Sequence, residues 1–351
     1  MKRPSILVAD FFGTAKERGI AAYVRDFEVI ANQSASVTLL QAPPWVKRQS
    51  VTVQNLLLVL HEQIVVPLHA LFRCPDLIIY PYNSSSLLLA LSRRTICVIH
   101  DLIPYRSRTR ASGWAYLYVA CSTRWHAKLG RRLVAVSPFT ERLLTSLERF
   151  RKCEVIYIPN CFSTMTDAID PRTLPPPQRR VTLISGSGPN KAFSEAIALM
   201  ASTTADPRFE GLSFDIVGFG PEHARASELI AEATQQGLKL PPIQVHPLLP
   251  RAELDALLSD NSVTWAHSHA EGFGRTVVEG RMAGRPVVMS RLAVFKPLED
   301  PFTFTYRNGE PQHFRDALHA ALTAIERTRP YQVVEELRAD AMAGLEALLC
   351  R

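Results

Sequence analysis

The residues with the most chemical promise lie between His267 and Val288, in the run HSHAEGFGRTVVEGRMAGRPVV. A short apolar run ends there in polar residues, a glycine-rich turn follows, and a helix is expected to open near Arg275. Gly272 and Gly274 let backbone N–H groups come close to a ligand. The helix N-terminus then offers unpaired N–H donors and a positive dipole end to a phosphate. Glu271 stands in the turn, and Glu279 about two helical turns further on. A helical carboxylate can accept two hydrogen bonds from a vicinal diol such as a ribose. Gly284-Arg285-Pro286 stops the helix before the next buried strand.

The elements that must position these residues repeat a simple pattern. Strands are expected at 5–9, 36–40, 76–80, 95–99, 133–136 and 154–158, with amphipathic helices between them, for example 20–32 and 138–149. Ser137 and Pro138 give the second of these helices an N-cap and a first-turn proline. A proline-rich stretch, 171–180, contains Pro175-Pro176-Pro177 and reads as a linker. The alternation then restarts, with strands at 181–185, 214–217, 243–246, 263–266, 286–289 and 302–305. Helices are expected at 191–200, 221–235, 251–258 and 276–283, and two more from Gln312 onward. Repeated βα units imply an α/β fold with parallel sheets covered on both faces. The division expected is a first domain over 1–160, a linker over 161–180, a second domain over 181–330, and a C-terminal helix, 331–351, that packs back on the first domain. Ligands of such pairs sit between the two halves.

Composition narrows the classes. Hydrophobic residues are 47% and charged residues 21% of the 351, which suits a globular protein. No run reaches about 18 uninterrupted apolar residues, so no transmembrane helix is expected. The N-terminus reads as a first strand and not as a signal peptide. Six cysteines (Cys74, Cys97, Cys121, Cys153, Cys161 and Cys350) form no C-x-x-C pair and read as buried free thiols in a reducing cytoplasm. Residues 1–160 hold 21 Lys+Arg against 10 Asp+Glu, and the remainder 19 against 23. A basic half beside a mildly acidic half points to an anionic partner: nucleic acid, a membrane surface or a lipid pyrophosphate.

The His267–Val288 segment resembles the E-x7-E signature of retaining glycosyltransferases with the GT-B fold, in particular family 4. It has the first glutamate, the Gly-Phe-Gly turn, the second glutamate, Met282-Ala283 and Gly284-x-Pro286-Val287-Val288. Further similarities follow the order of that family. Gly13–Tyr23, with Gly19-Ile20 opening a helix, is similar to its N-terminal glycine loop. His100-Asp101-Leu102-Ile103-Pro104, Val134–Ser137, Ile158-Pro159-Asn160 and Val217-Gly218-x-Gly220-Pro221 also match, so the resemblance covers roughly residues 5–290. It implies a GT-B fold, two Rossmann-like domains facing a central cleft. It also implies transfer of a hexosyl unit from a UDP- or GDP-linked sugar to a hydroxyl of a glycan or lipid-linked acceptor. Bacterial surface-polysaccharide assembly is the expected setting.

By the same resemblance Glu271 meets the transferred sugar, Glu279 holds the ribose, Lys191 meets the diphosphate and His100 faces the sugar from the first domain. Gly272, Phe273, Gly274, Arg275, Thr276, Ser268 and Gly19 complete the expected nucleotide-sugar contacts. Gly186 stands where the family has an arginine that clamps the diphosphate with the lysine, so one cation is absent or comes from elsewhere. Two rivals remain: a sugar-nucleotide epimerase or hydrolase of the same fold, and a non-catalytic partner subunit.

No metal and no cofactor are expected, the sugar nucleotide being a co-substrate. His267 and His269 at i and i+2 find no third ligand near them in sequence. Asp-x-Asp does not occur, nor does a P-loop, and neither Gly186-Ser187-Gly188 nor Gly218-Phe219-Gly220 completes G-x-G-x-x-G. Nucleic-acid binding is not expected, since the basic half carries no recognition motif. Tyr105–Arg132 interleaves arginines with Trp114, Tyr116, Tyr118 and Trp125. It reads either as a peripheral membrane contact at the inner face of a cytoplasmic membrane or as a core-facing helix with a solvated basic face.

Overall fold

The computed structural model describes residues 3–13, 19–102, 113–165 and 167–350. The chain forms two compact units, 1–166 with 335–351, and 167–334. Each contains one six-stranded parallel sheet.

In the first unit the strands are β1 Ser5–Val8, β2 Ser36–Leu39, β3 Leu77–Tyr80, β4 Thr95–Ile99, β5 Leu133–Ala135 and β6 Val155–Tyr157, in the order β2-β1-β3-β4-β5-β6. β3 and β4 are buried along their whole length because helices cover both faces, which is why they read as unbroken apolar runs. One face carries Leu7, Ala9, Ile78 and Tyr80 against Val66 and Ala70. Further along the same face, Cys97, Ile99 and Ala135 pack with Leu144 and Phe150. The helix Val333–Leu349 ends the chain, and its residues from 335 onward belong to this unit. Gly344 permits its approach, since a Cβ there would stand 2.1 Å from the Tyr157 carbonyl oxygen.

In the second unit the strands are β7 Gln178–Ile184, β8 Ser213–Val217, β9 Ile243–Val245, β10 Asn261–Ala266, β11 Val287–Ser290 and β12 Thr303–Tyr306, in the order β12-β11-β10-β7-β8-β9. Trp265 on β10 and Phe214 on β8 anchor the core with Phe314 of the helix Pro311–Ala324. The expectation of an α/β fold with two parallel sheets holds, and each of the twelve expected strands has an observed counterpart.

Several details differ. β7 starts at Gln178, so the end of the expected linker is already strand. The helix expected from Lys191 starts at Phe193. Lys191 closes a 3-10 turn that Pro189 opens, and Ala192 is left-handed at φ 44°, which interrupts the helical path. Cys74, Cys121 and Cys350 are exposed and not buried, although all six cysteines are free thiols. The helical run Thr52–Arg73 is long and apolar enough to cross a membrane by length and composition, because polar residues such as His61, Glu62, Gln63 and His69 interrupt the apolar run without ending the helix. Residues 14–18 of the N-terminal glycine loop, Ile103, Pro104, Tyr105, Arg106, Arg108 and Arg110, and the side chain of Tyr116, lie outside the described residues.

Candidate functional site

In the second unit, two loops at the ends of β7 and β10 meet. The β10 loop runs from His267 to Gly274, and the helix Arg275–Met282 follows. Gly274 is its N-cap at φ 112°, a conformation side chains rarely adopt. Space demands glycine as well: a Cβ there would stand 2.7 Å from the Phe295 ring. The turn is therefore pinned from below, with Phe273 buried. Gly280, inside the helix, lets it lie on β10, since a Cβ would reach Thr264 at 2.6 Å.

The β7 loop supplies Lys191, whose Nζ lies 2.5 Å from Glu271 Oε1, both side chains being partly exposed. Asn190, which sequence reasoning passed over, joins the loops. Its Nδ2 donates to the Ala270 carbonyl at 3.0 Å, and its own carbonyl accepts from His269 N at 2.7 Å. Ser268 Oγ lies 2.8 Å from the carbonyl oxygens of both Asn190 and Ala270, and Ser268 N donates to Ser290 Oγ. Ser268 thus works on loop geometry, and is buried there. The predicted residues Lys191, Glu271, Gly272, Phe273, Gly274, Arg275, Thr276 and Ser268 form one cluster of these two loops and the helix start.

Glu279 is 7% exposed on that helix. Arg275 Nε and Arg251 Nη1 each approach its Oε1 at 3.3 Å. Arg251 opens the helix Arg251–Asp260 and also pairs with Asp255. Burial opposes the Arg251 charge, but Glu279 and Asp255 outweigh it and raise its pKa. Sequence reasoning missed this arginine because nothing local to 251 shows that its helix start falls beside Glu279.

Gly186 lines a cavity of about 500 Å³ with Ser187, Gly188, Glu195, Phe219 and Arg225. Its Cβ would meet only the Gly218 carbonyl oxygen, at 3.8 Å. The backbone would accept a larger residue, so neither space nor φ explains the glycine. Arg225 is the cation lining this cavity, and Glu228 and Glu232 pair with it.

The histidines do find a third partner in space. Glu195, His267 and His269 bring one ligand-type atom each within 4.8 Å of one another. His269 Nε2 is 2.6 Å from Glu195 Oε2, and Gly309 N donates to Glu195 Oε1 at 2.6 Å. Burial works against ionising Glu195, yet these donors hold its pKa below the ordinary value. His267 Nδ1 contacts the Tyr306 hydroxyl, and burial lowers its pKa to about 4, so it is neutral near pH 7. The donor types suit a zinc-class ion. Glu195 comes from the helix Phe193–Ala201, far from the β10 loop in sequence, which is why spacing along the chain did not show it.

His100 and Gly19 belong to the first unit. His100 follows β4, where its N donates to Asn83 Oδ1 at 2.6 Å and its Nε2 lies 2.9 Å from the Pro81 carbonyl. Tyr23 packs edge-on against its ring. Gly19 caps the helix Ile20–Ala31 at φ 66°.

Residues 179–324 match a family model described as glycosyl transferases group 1. No curated protein matches the chain. Among solved structures, sucrose-phosphate synthase from Thermosynechococcus elongatus is similar with a TM-score of 0.71 and 14% identity, covering 99% of this chain and 97% of that one. Anabaena HepE in complex with UDP-glucose gives 0.63 and 19%, covering 99% and 100%. The α,α-trehalose-phosphate synthase (UDP-forming) from Burkholderia vietnamiensis gives 0.61 and 12%, covering 99% and 94%. The chain carries a glycosyl transferases group 1 domain on a GT-B fold and is a glycosyltransferase.

Proposed function

We propose that the protein is a retaining, family 4 enzyme that moves a hexosyl unit from a UDP-linked sugar to a hydroxyl of a glycan or lipid-linked acceptor. The observation that carries this is Lys191 held on Glu271 beside the glycine turn that opens the Arg275 helix. UDP is preferred over GDP because HepE is solved with UDP-glucose and the trehalose-phosphate synthase is UDP-forming. Assembly of a bacterial surface polysaccharide in the cytoplasm is the proposed setting, with no metal or cofactor in the reaction.

In this reading the bond from the anomeric carbon to the diphosphate oxygen breaks, and the acceptor oxygen bonds to that carbon on the same face. The acceptor proton passes to the departing phosphate. The chain's part is to stabilise the charge that develops on that phosphate. Lys191, the N–H groups of the glycine turn and the dipole of the Arg275 helix can do this. An ammonium has three donors, so Lys191 can keep Glu271 and still meet a phosphate oxygen. Glu271 then has its second oxygen for sugar hydroxyls, and Glu279 is assigned to the ribose. His100 is assigned to the transferred sugar by the resemblance alone.

Calorimetry with UDP- and GDP-sugars, followed by turnover with the donor that binds, tests this reading. Glu271→Ala and Glu279→Ala should each collapse turnover. Near wild-type rates in both variants would sink the site assignment. Donor consumed equally fast without any acceptor would favour an epimerase or hydrolase.

A further inference from the structure

The helical run from Thr52 to Arg73 packs one side on the first unit and leaves a second, apolar side exposed among the described residues. It consists of the helix Val51–Leu60, a π-helical turn His61–Val65 and the helix Val66–Arg73. Toward the sheet it buries His61, Glu62, Val66 and Ala70. Away from it stand Leu56, Leu60, Ile64, Leu68, Leu71 and Phe72, with Leu68 at 52%, Leu71 at 70% and Phe72 at 81% exposure. Steps of four residues would normally drift around an α-helix of 3.6 residues per turn. The wider π turn takes up that drift between Leu60 and Ile64, so the outward residues stay in line.

A second exposed apolar group adjoins this ridge. Leu87, Leu88 and Leu91 are exposed, and Leu87 N donates to Gln63 Oε1 at 2.9 Å, which fixes that loop beside the π turn. Large contiguous apolar surfaces are rare on proteins that stay in water.

The rim is basic. Arg131 donates to the carbonyls of Ala90 and Leu91, which holds its guanidinium beside Leu91. Arg93 and Arg94 are exposed just after it, as are Arg124 and Lys128 on the helix Gly113–Lys128. Trp125 of that helix donates its indole N–H to the Leu87 carbonyl. From Pro43 to Ile99 the chain has two carboxylates, Asp76 and the buried Glu62. A second copy of the same surface would bring two basic rims together, which disfavours self-association. An apolar ridge with cationic and indole flanks suits the boundary of an anionic bilayer. Crossing the bilayer would strip Val66 and Ala70 from the sheet and carry Glu62 into lipid, so the helix fits lying in the interface and not spanning it.

We propose that the outward face of Thr52–Arg73, with Leu87, Leu88 and Leu91, docks the first unit on a membrane surface that contains anionic lipid. Docking does not depend on the transfer reaction and needs no donor. It also places the contact mainly on this helix, with Arg124, Lys128 and Arg131 supplying part of its basic rim.

Flotation of the full chain with vesicles tests it, using phosphatidylcholine with and without phosphatidylglycerol. The wild type should float with both and bind those containing phosphatidylglycerol about tenfold more tightly. Leu56→Ser/Leu68→Ser/Phe72→Ser changes only exposed positions, so its unfolding midpoint should hold while vesicle binding falls about tenfold or more. Arg124→Gln/Lys128→Gln should lose the preference for phosphatidylglycerol alone. A wild type that binds neither vesicle, or a folded triple variant that binds as the wild type does, overturns the proposal. So does a dimer that the triple substitution dissociates while vesicles stay unbound. Turnover of a water-soluble acceptor, measured in parallel, should be unchanged in the triple variant and reports on the transfer reading separately.

Discussion

Lys191 Nζ rests 2.5 Å from Glu271 Oε1 across 80 residues of sequence, and the two loops that carry them are sewn together through Asn190 and Ser268. The pair is partly solvated, so its direct contribution to stability is modest, about 1 kcal/mol or less. Its value is positional: the ammonium is held where the glycine turn and a helix N-terminus converge.

Lys191→Ala should therefore act on the donor and not on the fold. Loss of one charge-assisted contact corresponds to about tenfold to a hundredfold weaker UDP-sugar binding. The unfolding midpoint should move little. Calorimetry with UDP and a thermal melt check the two halves, and unchanged UDP affinity would remove Lys191 from the diphosphate.

Gly186→Arg tests the vacant cation position directly. A Cβ there meets only the Gly218 carbonyl oxygen at ordinary contact distance, so the substitution should be tolerated. If a second cation is what the site lacks, UDP binding should tighten about tenfold. No change would mean that the charge is already supplied, with Arg225 across the same cavity the first residue to test.

Both sheets were legible because each strand is short, β-branched and flanked by amphipathic stretches, and the glycine turn before Arg275 was legible because its residues are contiguous. Contacts made across the fold were not. Arg251 reaches Glu279 from the start of another helix, and Glu195 reaches His267 and His269 from a helix some 70 residues earlier. The left-handed Ala192, which ends the Lys191 turn, also escaped notice, since alanine usually signals helix. The outward stripe of Thr52–Arg73 was hidden by polar residues that count against an apolar run, of which His61 and Glu62 sit on the buried side of the helix.

Gly274→Ala should cost both stability and function. The residue is held at φ 112°, and the added methyl would stand 2.7 Å from Phe295 and 3.1 Å from Leu298. Strained backbone plus overpacking predicts a loss of about 2–4 kcal/mol in urea unfolding. Turnover should fall with it because Glu271 and the Arg275 helix share that turn. A variant as stable as the wild type would show that the turn is not pinned.

Chelation should leave transfer unchanged if Glu195, His267 and His269 form only a hydrogen-bonded cluster. Assays after dialysis against EDTA, and again after adding zinc, check this. A rate lost with EDTA and restored by zinc would assign an ion to the three residues and reverse the expectation of metal independence.

Glu62 sets a pH dependence of the opposite sign to the usual carboxylate. It is fully buried in the first unit, where burial raises its pKa to about 7 although Tyr118 and Ser84 donate to it. Below the unfolded value near 4.5 both states are protonated and the group contributes no pH dependence. Between there and about 7 the unfolded chain has lost its proton while the folded one keeps it. Stability therefore falls as pH rises through this window and levels off above it. The full effect is of the order of 3 kcal/mol. Glu62→Gln cannot ionise, so its stability relative to the wild type should climb from pH 4.5 to 7 and stay flat beyond. The buried imidazoles His61, His126 and His267, each lowered to about 4, slope the other way in both proteins and cancel in the difference. Urea titrations of the two proteins across this range check it. A difference that stays constant with pH would show that Glu62 ionises in the folded protein as readily as in water.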